Sequence, residues 1–233
     1  TMAIEKAGVS GLDKEFASVN AIKNIPDLLK VVAHLHTIDV PTLFEYDVRI
    51  DEKNSSKYVV ALGQGRLGLP EREYYFNTEP RTKSTRKKYL KHLSLMLELT
   101  GTDKASEDKN SKTIMALETA IAKASRKMED LRDPYKNYNK MSVENTVKLA
   151  PSIQWKEMLI LFGLKNVDSI VVGQPEYIAS LESTLKKFSI DDWKIYLRSN
   201  ILKSFSSFLD KKITTENFHF YNTILEGVTE QKP

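Results

Sequence analysis

A chain of 233 residues is long enough to bury a sizeable hydrophobic core, as one large domain or two small ones. Hydrophobic residues make up 41% and charged residues 28% of the sequence, which is typical of a folded globular protein and excludes the disordered and fibrous classes. The 35 basic and 31 acidic residues nearly cancel to a net charge of +4, and the absence of cysteine excludes disulfides, cysteine-based zinc sites and thiol catalysis.

The N-terminal sequence TMAIEKAGVSGLDKEF has neither the basic start nor the apolar run of a signal peptide. No apolar run elsewhere approaches the roughly 18 residues of a membrane span. Because this beginning does not resemble a natural start, we expect the chain to be a piece of a longer protein.

Helical periodicity dominates, with apolar residues three or four positions apart. The predicted helices cover residues 26–36, 82–100, 111–131, 142–150, 154–162, 175–188, 190–210 and 215–226. The strongest pattern lies in 111–131, where one continuous apolar stripe is predicted from Ile114, Leu117, Ile121, Ala124, Met128 and Leu131. The segment 103–112 is the most loop-like stretch, or else the polar entry to this long helix.

One segment alternates with a period of two. Apolar residues from Phe44 to Ile50 are separated by charged ones, which predicts a strand with one buried face. Turn-forming residues and a second apolar run follow, so we predict a β-hairpin over about residues 43–62 and a further extended piece at 169–173. The predicted fold class is mostly α, a multi-helix lobe with a small β-hairpin.

Gly63, Gly65 and Gly68 spell G-x-G-x-x-G after the second predicted strand, which is the pattern of a dinucleotide-binding turn. That turn requires a parallel strand and a long following helix. Here the strand is expected to pair antiparallel with its hairpin partner, and Pro70 and Pro80 leave no room for the helix. We therefore interpret the glycines as bends, with Gly68 and Pro70 setting a turn, and assign no cofactor-binding residues.

The sequence also offers no zinc site. Its four histidines, His34, His36, His92 and His219, include no pair four residues apart and no H-E-x-x-H, so they are expected to be ordinary surface or half-buried residues. No serine nucleophile elbow or P-loop is present. We assign no catalytic and no metal-binding residues within the chain.

Two further clusters have structural interpretations. The basic segment 81–92 could bind phosphate, but it also fits the solvent-facing side of an amphipathic helix, which we favour. The aromatic residues Trp193, Tyr196, Phe205 and Phe208 are expected to lie in the core.

Five segments resemble, in the same order, signature blocks of the neprilysin and endothelin-converting-enzyme family of zinc metalloendopeptidases. They are QGRLGLPEREYY (64–75), LRDPYKNYNKMSVENT (131–146), SIQWKEML (152–159), IVVGQPEYIASLESTL (170–185) and NFHFYNTILEGVTEQKP (217–233). Because the cysteines typical of the animal ectodomains are absent, the resemblance is nearest to the bacterial oligopeptidase O type.

The resemblance implies a role for this chain. In that family an N-terminal helical lobe faces a catalytic lobe across a closed chamber, which limits substrates to oligopeptides. The zinc ligands, including H-E-x-x-H, lie in the downstream catalytic lobe, so residues 1–233 are expected to be a non-catalytic lobe that binds no catalytic zinc and is inactive alone. The sequence ends at Lys232 and Pro233, and the resemblance implies that the catalytic lobe follows this point in the parent protein.

The resemblance also implies the surroundings of the parent protein. Its partners would be its own catalytic domain and oligopeptide substrates, with no nucleic acid, and it would hydrolyse peptides with zinc-activated water and a glutamate base. Its location would be periplasmic, extracellular or lipoprotein-anchored. The alternative is a stand-alone helical binding module that binds nucleic acid through 81–92.

Overall fold

A computed structural model describes residues 2–230, so the last three residues of the 217–233 block, including Lys232 and Pro233, lie outside the described residues. The α-helices are α1 (Met2–Ala7), α2 (Asp13–Asn20), α3 (Ile25–Thr37), α4 (Glu73–Phe76), α5 (Pro80–Leu99), α6 (Lys104–Ala124), α7 (Met128–Leu131), α8 (Val143–Leu149), α9 (Trp155–Leu161), α10 (Pro175–Lys187), α11 (Ile190–Phe205) and α12 (Lys211–Phe218). The fold class is confirmed as mostly α with a small β element. In the described part of the chain, no helix combines the length and hydropathy of a membrane span.

The strands are β1 (Phe44–Asp51), β2 (Asn54–Gln64), β3 (Asn139–Ser142) and β4 (Ser169–Val172). Within residues 2–230 they form one sheet in the order β1-β2-β4-β3. β1 and β2 pair antiparallel, which confirms the predicted hairpin, and β4 confirms the predicted extended piece. β3 was not predicted, because its four residues NKMS show no alternation of apolar and polar side chains.

β2 is an inner strand and is buried on both faces in its second half. It pairs antiparallel with β1 along its length and parallel with β4 from Val60 to Leu62. Both edges of β2 are therefore paired. The consecutive residues Val59–Leu62 are all buried, so both faces are covered, and the run is continuously apolar rather than alternating, as expected of a strand inside a sheet.

The predicted burial of one face of β1 is correct only near its start. Phe44 is fully buried against Trp155 of α9, and Tyr46 stacks on Phe162 with ring centroids 3.8 Å apart. Val48 and Ile50 on the same face are 49% and 54% exposed. Alternation in the sequence shows which face can be covered, but not how far along the strand its cover extends.

The predicted helix 111–131 is wrong at both ends. α6 begins at Lys104, so 103–112 is the polar entry to this helix, as the second of the two interpretations had it, and α6 ends at Ala124, with Met128 and Leu131 on the separate helix α7. The break arises because the backbone N–H of Arg126 donates to Oε1 of Gln64 at 2.8 Å instead of to the carbonyl four residues earlier. That carbonyl, of Ala122, accepts from Nε of Arg72 at 3.3 Å.

The other predicted helices are found with shifted ends. The segment 190–210 is α11 followed by a 3₁₀ turn (Ser206–Phe208), and 215–226 is covered by α12 and a π-helix (His219–Leu225). α12 begins earlier than predicted, because the side chain of Asp210 caps it by accepting from the N–H groups of Lys212 and Ile213. Phe208, expected in the core, is 71% exposed because it lies in the 3₁₀ turn beyond α11.

The described residues divide into two compact units. The sheet unit comprises Ile22–Arg72 and Thr119–Ile190 and contains all four strands, whereas the helical unit comprises 2–21, 73–118 and 191–230. The core of the sheet unit contains Trp155, Tyr177 and the buried strands. The helical unit contains the fully buried Trp193 and the nearly buried Tyr196, as the aromatic pattern predicted.

Gly65 is required by a close approach of two backbone segments. A Cβ at this position would lie 2.8 Å from the carbonyl oxygens of both Thr42 and Leu43. At Gly63, two residues earlier, the nearest atom is the side-chain Oε1 of Gln174 at 3.6 Å, an ordinary contact. Of these two glycines of the motif, Gly65 is therefore required by the close backbone approach, whereas Gly63 has room for a Cβ atom.

We expect Gly65→Ala to lower the free energy of unfolding by about 2 kcal/mol, because neither backbone carbonyl can move away easily. Gly63→Ala is the matched control and should change stability by less than about 1 kcal/mol. Urea unfolding followed by circular dichroism measures both. Equal effects of the two substitutions would contradict the close-approach explanation.

Candidate functional site

The side chain of Gln64 links the first signature segment to the end of α6. Its Oε1 accepts from the backbone N–H of Arg126, and its Nε2 donates to the carbonyl of the same residue at 3.4 Å. The backbone N–H of Gln64 in turn donates to Oε1 of Gln174 at 2.8 Å. One residue at the end of β2 therefore holds two segments that are distant in sequence.

Arg126 is the centre of this arrangement. Its guanidinium forms a bidentate ion pair with Glu176, of which the Nη2–Oε2 distance is 3.0 Å. Its Nη1 donates to the carbonyl of Lys136 at 3.1 Å and to Oδ1 of Asn137 at 3.2 Å. The side chain is 19% exposed and cross-links the segments 131–146 and 170–185, while the backbone of Arg126 binds Gln64 of segment 64–75. We call this set of contacts the Arg126 junction.

Asn137 and Gln174 complete the junction. Nε2 of Gln174 donates to Oδ1 of Asn137, while Nδ2 of Asn137 donates to the carbonyls of Asp130 and Asp133. The polar atoms of these side chains are thus used in contacts within the protein.

The remaining blocks of the sheet unit are joined in the same way. The hydroxyl of Tyr177 donates to the carbonyl of Leu43 at 2.6 Å, beside the close approach at Gly65. The backbone N–H and hydroxyl of Ser152 donate to the two carboxylate oxygens of Glu182 at 2.7 and 2.9 Å. Segments 152–159 and 170–185 are therefore fixed to each other by a bidentate contact.

The tip of the hairpin is held by the residues Tyr138 and Lys140 around β3. The carboxylate of Asp51 accepts from the Tyr138 hydroxyl at 2.7 Å, from Nζ of Lys140 at 2.5 Å and from the N–H of Lys53 at 3.0 Å. These hydrogen bonds, that of Lys140 foremost, hold the pKa of Asp51 well below its usual range. Asp51 is therefore a charged anchor for the hairpin.

A cleft of about 320 Å³ lies beside the Arg126 junction. Its lining includes Glu45, Asp47, Arg49, Asn137 and Gln174. Burial raises the pKa of Glu45, although Arg66 opposes that shift through an ion pair at 3.3 Å. Arg49 is paired with Glu52 at 2.9 Å, so the charges around the cleft are largely satisfied by neighbours within the sheet unit.

The helical unit contains a buried carboxylate held by two tyrosines. Oε2 of Glu118 accepts from the hydroxyl of Tyr75 at 2.9 Å, and Oε1 accepts from that of Tyr89 at 3.0 Å. Glu118 is 2% exposed, and burial raises its pKa to about 7 although both hydrogen bonds oppose the shift. Tyr75 belongs to the first signature segment, so the end of this segment is anchored within the helical unit.

The histidines do not converge on one point. His36 lies against Phe44 and Tyr46 in the sheet unit with its Nε2 at 2.9 Å from the hydroxyl of Thr42, and burial lowers its pKa to about 4. His92 is 4% exposed, contrary to the expectation of a surface or half-buried residue. It is buried because its ring stacks on Phe220 and its Nδ1 contacts Glu216 at 3.0 Å.

The basic segment 81–92 forms the first half of α5. Arg81, Lys83, Lys87, Lys88 and Lys91 are exposed on the helix surface. Arg86 instead donates to the carbonyls of Tyr74 and Asn77 at 2.6 and 2.9 Å, which fixes the end of α4. The arrangement is that of the solvent-facing side of an amphipathic helix and does not favour the nucleic-acid alternative.

The G-x-G-x-x-G segment runs from the end of β2 towards α4, and its neighbours in the chain do not form a dinucleotide-binding turn. Its strand pairs antiparallel with β1, as expected, but also parallel with β4, which was not expected, so strand direction does not exclude a dinucleotide turn; the next helix, α4, has only four residues, too short for one. Across residues 2–230, no three histidine, aspartate or glutamate side chains are grouped so that they could hold a metal ion. The described residues therefore do not fit a zinc ion, and the Arg126 junction can cross-link segments but contains no nucleophile or base directed at a reacting group.

The comparisons with known proteins identify the family. The family model of the N-terminal region of peptidase family M13 matches residues 1–233. The chain belongs to peptidase family M13. The resemblance to neprilysin and endothelin-converting enzyme is thereby confirmed, and the chain is the N-terminal region of a neprilysin-like metallopeptidase.

Several relatives share this M13 region. Endothelin-converting enzyme 1 of Homo sapiens is 32% identical over 202 residues, which cover 81% of this chain and 25% of that protein. Neprilysin of Mus musculus is 28% identical over 207 residues, which cover 81% of this chain and 27% of that protein. This chain thus spans about a quarter of the length of these curated relatives.

Solved structures show the same fold. A crystal structure of the zinc metalloprotease Zmp1 of Mycobacterium tuberculosis with an inhibitor has a TM-score of 0.94 at 25% identity, covering 100% of this chain and 36% of that one. PepO from Lactobacillus rhamnosis HN001 has a TM-score of 0.80 at 13% identity, covering 97% of this chain and 36% of that one. At that identity the likeness to PepO concerns the fold alone.

We expect Arg126→Gln to lower the free energy of unfolding by about 2 kcal/mol, because it removes the bidentate partner of Glu176 and the guanidinium bonds to Asn137 and to the Lys136 carbonyl. Arg49→Gln removes exposed ion pairs only and should cost less than about 1 kcal/mol. Urea unfolding measures both variants. Hydrogen exchange should also accelerate across 125–139 in Arg126→Gln, and unchanged exchange there would contradict the junction.

The raised pKa of Glu118 predicts a pH-dependent stability. Between the ordinary value of 4.5 and about 7 the folded protein keeps a proton that the unfolded chain has lost. Stability from this group is therefore full below pH 4.5 and is lost as the pH rises through 7, by about 3 kcal/mol in total.

Glu118→Gln, which cannot ionise, should abolish this loss. Comparing unfolding free energies of the two proteins from pH 4.5 to 8 cancels contributions from other groups, including His92, whose lowered pKa acts in the opposite direction. Identical pH profiles for the two proteins would show that Glu118 is already ionised in the fold.

Proposed function

We propose that this chain is the non-catalytic N-terminal lobe of a zinc metalloendopeptidase, in which it caps the chamber that contains the active site. The observation that carries the proposal is the match of the M13 N-terminal family model over the whole chain, combined with relatives three to four times as long. On this proposal the parent hydrolyses peptide bonds with zinc-activated water, and the metal ligands lie outside residues 1–233. This chain alone is inactive and binds no catalytic zinc.

The internal contacts support a structural rather than a chemical role. A wall that limits substrates by size must keep its shape, which requires close packing and few alternative arrangements. The Arg126 junction, the Ser152–Glu182 contact and the Asp51 anchor each join segments far apart in sequence. Side chains that are hydrogen-bonded or ion-paired within the protein in this way restrict movement of the segments that they join, which suits a rigid wall.

The proposal extends to substrates, partners and location. The parent acts on oligopeptides, because a closed chamber admits short chains and excludes folded proteins. The partner of this lobe is the catalytic region of its own parent. The parent is periplasmic, extracellular or anchored as a lipoprotein.

The proposal is tested with the full-length parent and a series of peptides that share one cleavable sequence and increase in length. We expect kcat/KM to fall at least tenfold beyond a limiting length in the parent, and residues 1–233 alone to cleave none of the series. In the parent, Arg126→Gln should weaken the wall and raise the relative rate on the longest peptides, with Arg49→Gln as its matched control.

Two results would contradict the proposal. Zinc-dependent cleavage by residues 1–233 alone would show that the chain is catalytic. Equal kcat/KM for short and long peptides in the parent would show that the lobe does not limit access.

A further inference from the structure

One face of the β1–β2 hairpin is covered at its base and open towards its tip. At the base, Phe44 is fully buried and Tyr46 stacks on Phe162. The helices that supply this cover, α3 and α9, reach only the beginning of β1, through His36 and Trp155.

Beyond the base the same face carries exposed apolar side chains. Val48, Ile50 and Tyr58 are 49%, 54% and 76% exposed. The register places Ile50 opposite Tyr58 and Val48 opposite Val60, so these side chains are neighbours on one side of the hairpin. We call Val48, Ile50 and Tyr58 the tip face.

A cleft of about 370 Å³ opens beside the tip face. Apolar side chains on its two sides include Val48 and Tyr58 of the hairpin and Leu164 and Val167 of the segment before β4. The parallel pairing of β2 with β4 begins only at Val60, so the hairpin projects past the end of β4 at this point. The cleft also has polar lining residues, among them Lys140 and Asp168, so it is a concave site of mixed polarity next to a projecting arm.

We propose that the tip face docks onto the part of the parent M13 peptidase that lies outside residues 1–233. This inference rests on the proposed function, because it requires a longer parent. The alternation of β1 is that of a strand with one buried face, yet the described residues cover only its base. The three exposed side chains are neighbours on one face rather than scattered singly, which favours a covered surface. Relatives contain three to four times as much chain, which supplies an occupant.

A second copy of this chain is a poorer occupant. β1 is an edge strand, and its alternate residues Glu45, Asp47 and Arg49 are charged, which opposes edge-to-edge pairing between copies. Three apolar side chains also form a small patch compared with the roughly 1,000 Å² of a stable interface between separate molecules. Within one covalent chain a small patch suffices, since linkage raises the effective concentration of its partner.

Cysteine labelling tests the proposal, because residues 1–233 contain no cysteine. Val48→Cys and Tyr58→Cys report on the tip face, and Asp47→Cys, exposed and adjacent to Val48 but on the opposite face and outside the cleft, is the matched control. Each variant is made in residues 1–233 and in the full-length parent. Maleimide labelling rates are read by mass spectrometry of the tagged peptide, after melting curves show that the variant is folded.

We expect the tip-face thiols to label at least tenfold more slowly in the parent than in residues 1–233, and Asp47→Cys to change less than twofold. Equal rates for the tip-face thiols in both proteins would overturn the proposal. Protection that appears in residues 1–233 alone and grows with concentration would also overturn it, in favour of a second copy.

A charge variant gives an independent measurement. Because the side chain is exposed, Tyr58→Asp should change the melting temperature of residues 1–233 by less than roughly 2 °C. In the parent it should lower the melting temperature by roughly 4 °C or more. An unchanged melting temperature of the parent would overturn the proposal that the tip face docks. A parent that cleaves peptides but has an open tip face refutes only this inference, whereas a gene product without a peptidase region refutes the proposed function as well.

Discussion

The contacts of Arg126 determine how the sheet unit is assembled. The residue follows the end of α6, and its backbone and guanidinium reach Gln64, Asn137 and Glu176, which belong to three separate signature segments. An arginine suits this position because its planar group offers several donors in fixed directions and always carries its charge. The signature segments of this M13 region are therefore best understood as parts of one cross-linked structure.

This view explains a motif that suggests a different chemistry. G-x-G-x-x-G commonly marks a turn that receives a dinucleotide, yet here Gly65 permits two backbone segments to approach each other. The residues on either side contribute cross-links, with Gln64 bonded to Arg126 and Arg72 bonded to Ala122. A pattern of glycines records close backbone approach, and only the surrounding elements show whether a ligand or the protein itself approaches.

The sequence predicted the elements that depend on local periodicity. The hairpin, the strand at 169–173 and most helices were found, because their apolar residues repeat with the period of the structure. The end of α6 and the strand β3 could not be found, since Gln64 and β4 determine them from far away in the chain. The site was missed for the same reason. Arg126, Gln174 and Asp51 are single polar residues without a pattern, and Glu118 differs from a surface glutamate only through Tyr75 and Tyr89.

Where the parent binds its zinc ion decides whether this chain is a non-catalytic lobe. The intact gene product is purified, its zinc is quantified by mass spectrometry, and limited proteolysis separates the region containing residues 1–233 from the rest. We expect one zinc ion per molecule, retained entirely by the region outside residues 1–233. Zinc that remains with residues 1–233, or an intact gene product that binds none, would contradict the assignment of this chain as the non-catalytic lobe of an M13 peptidase.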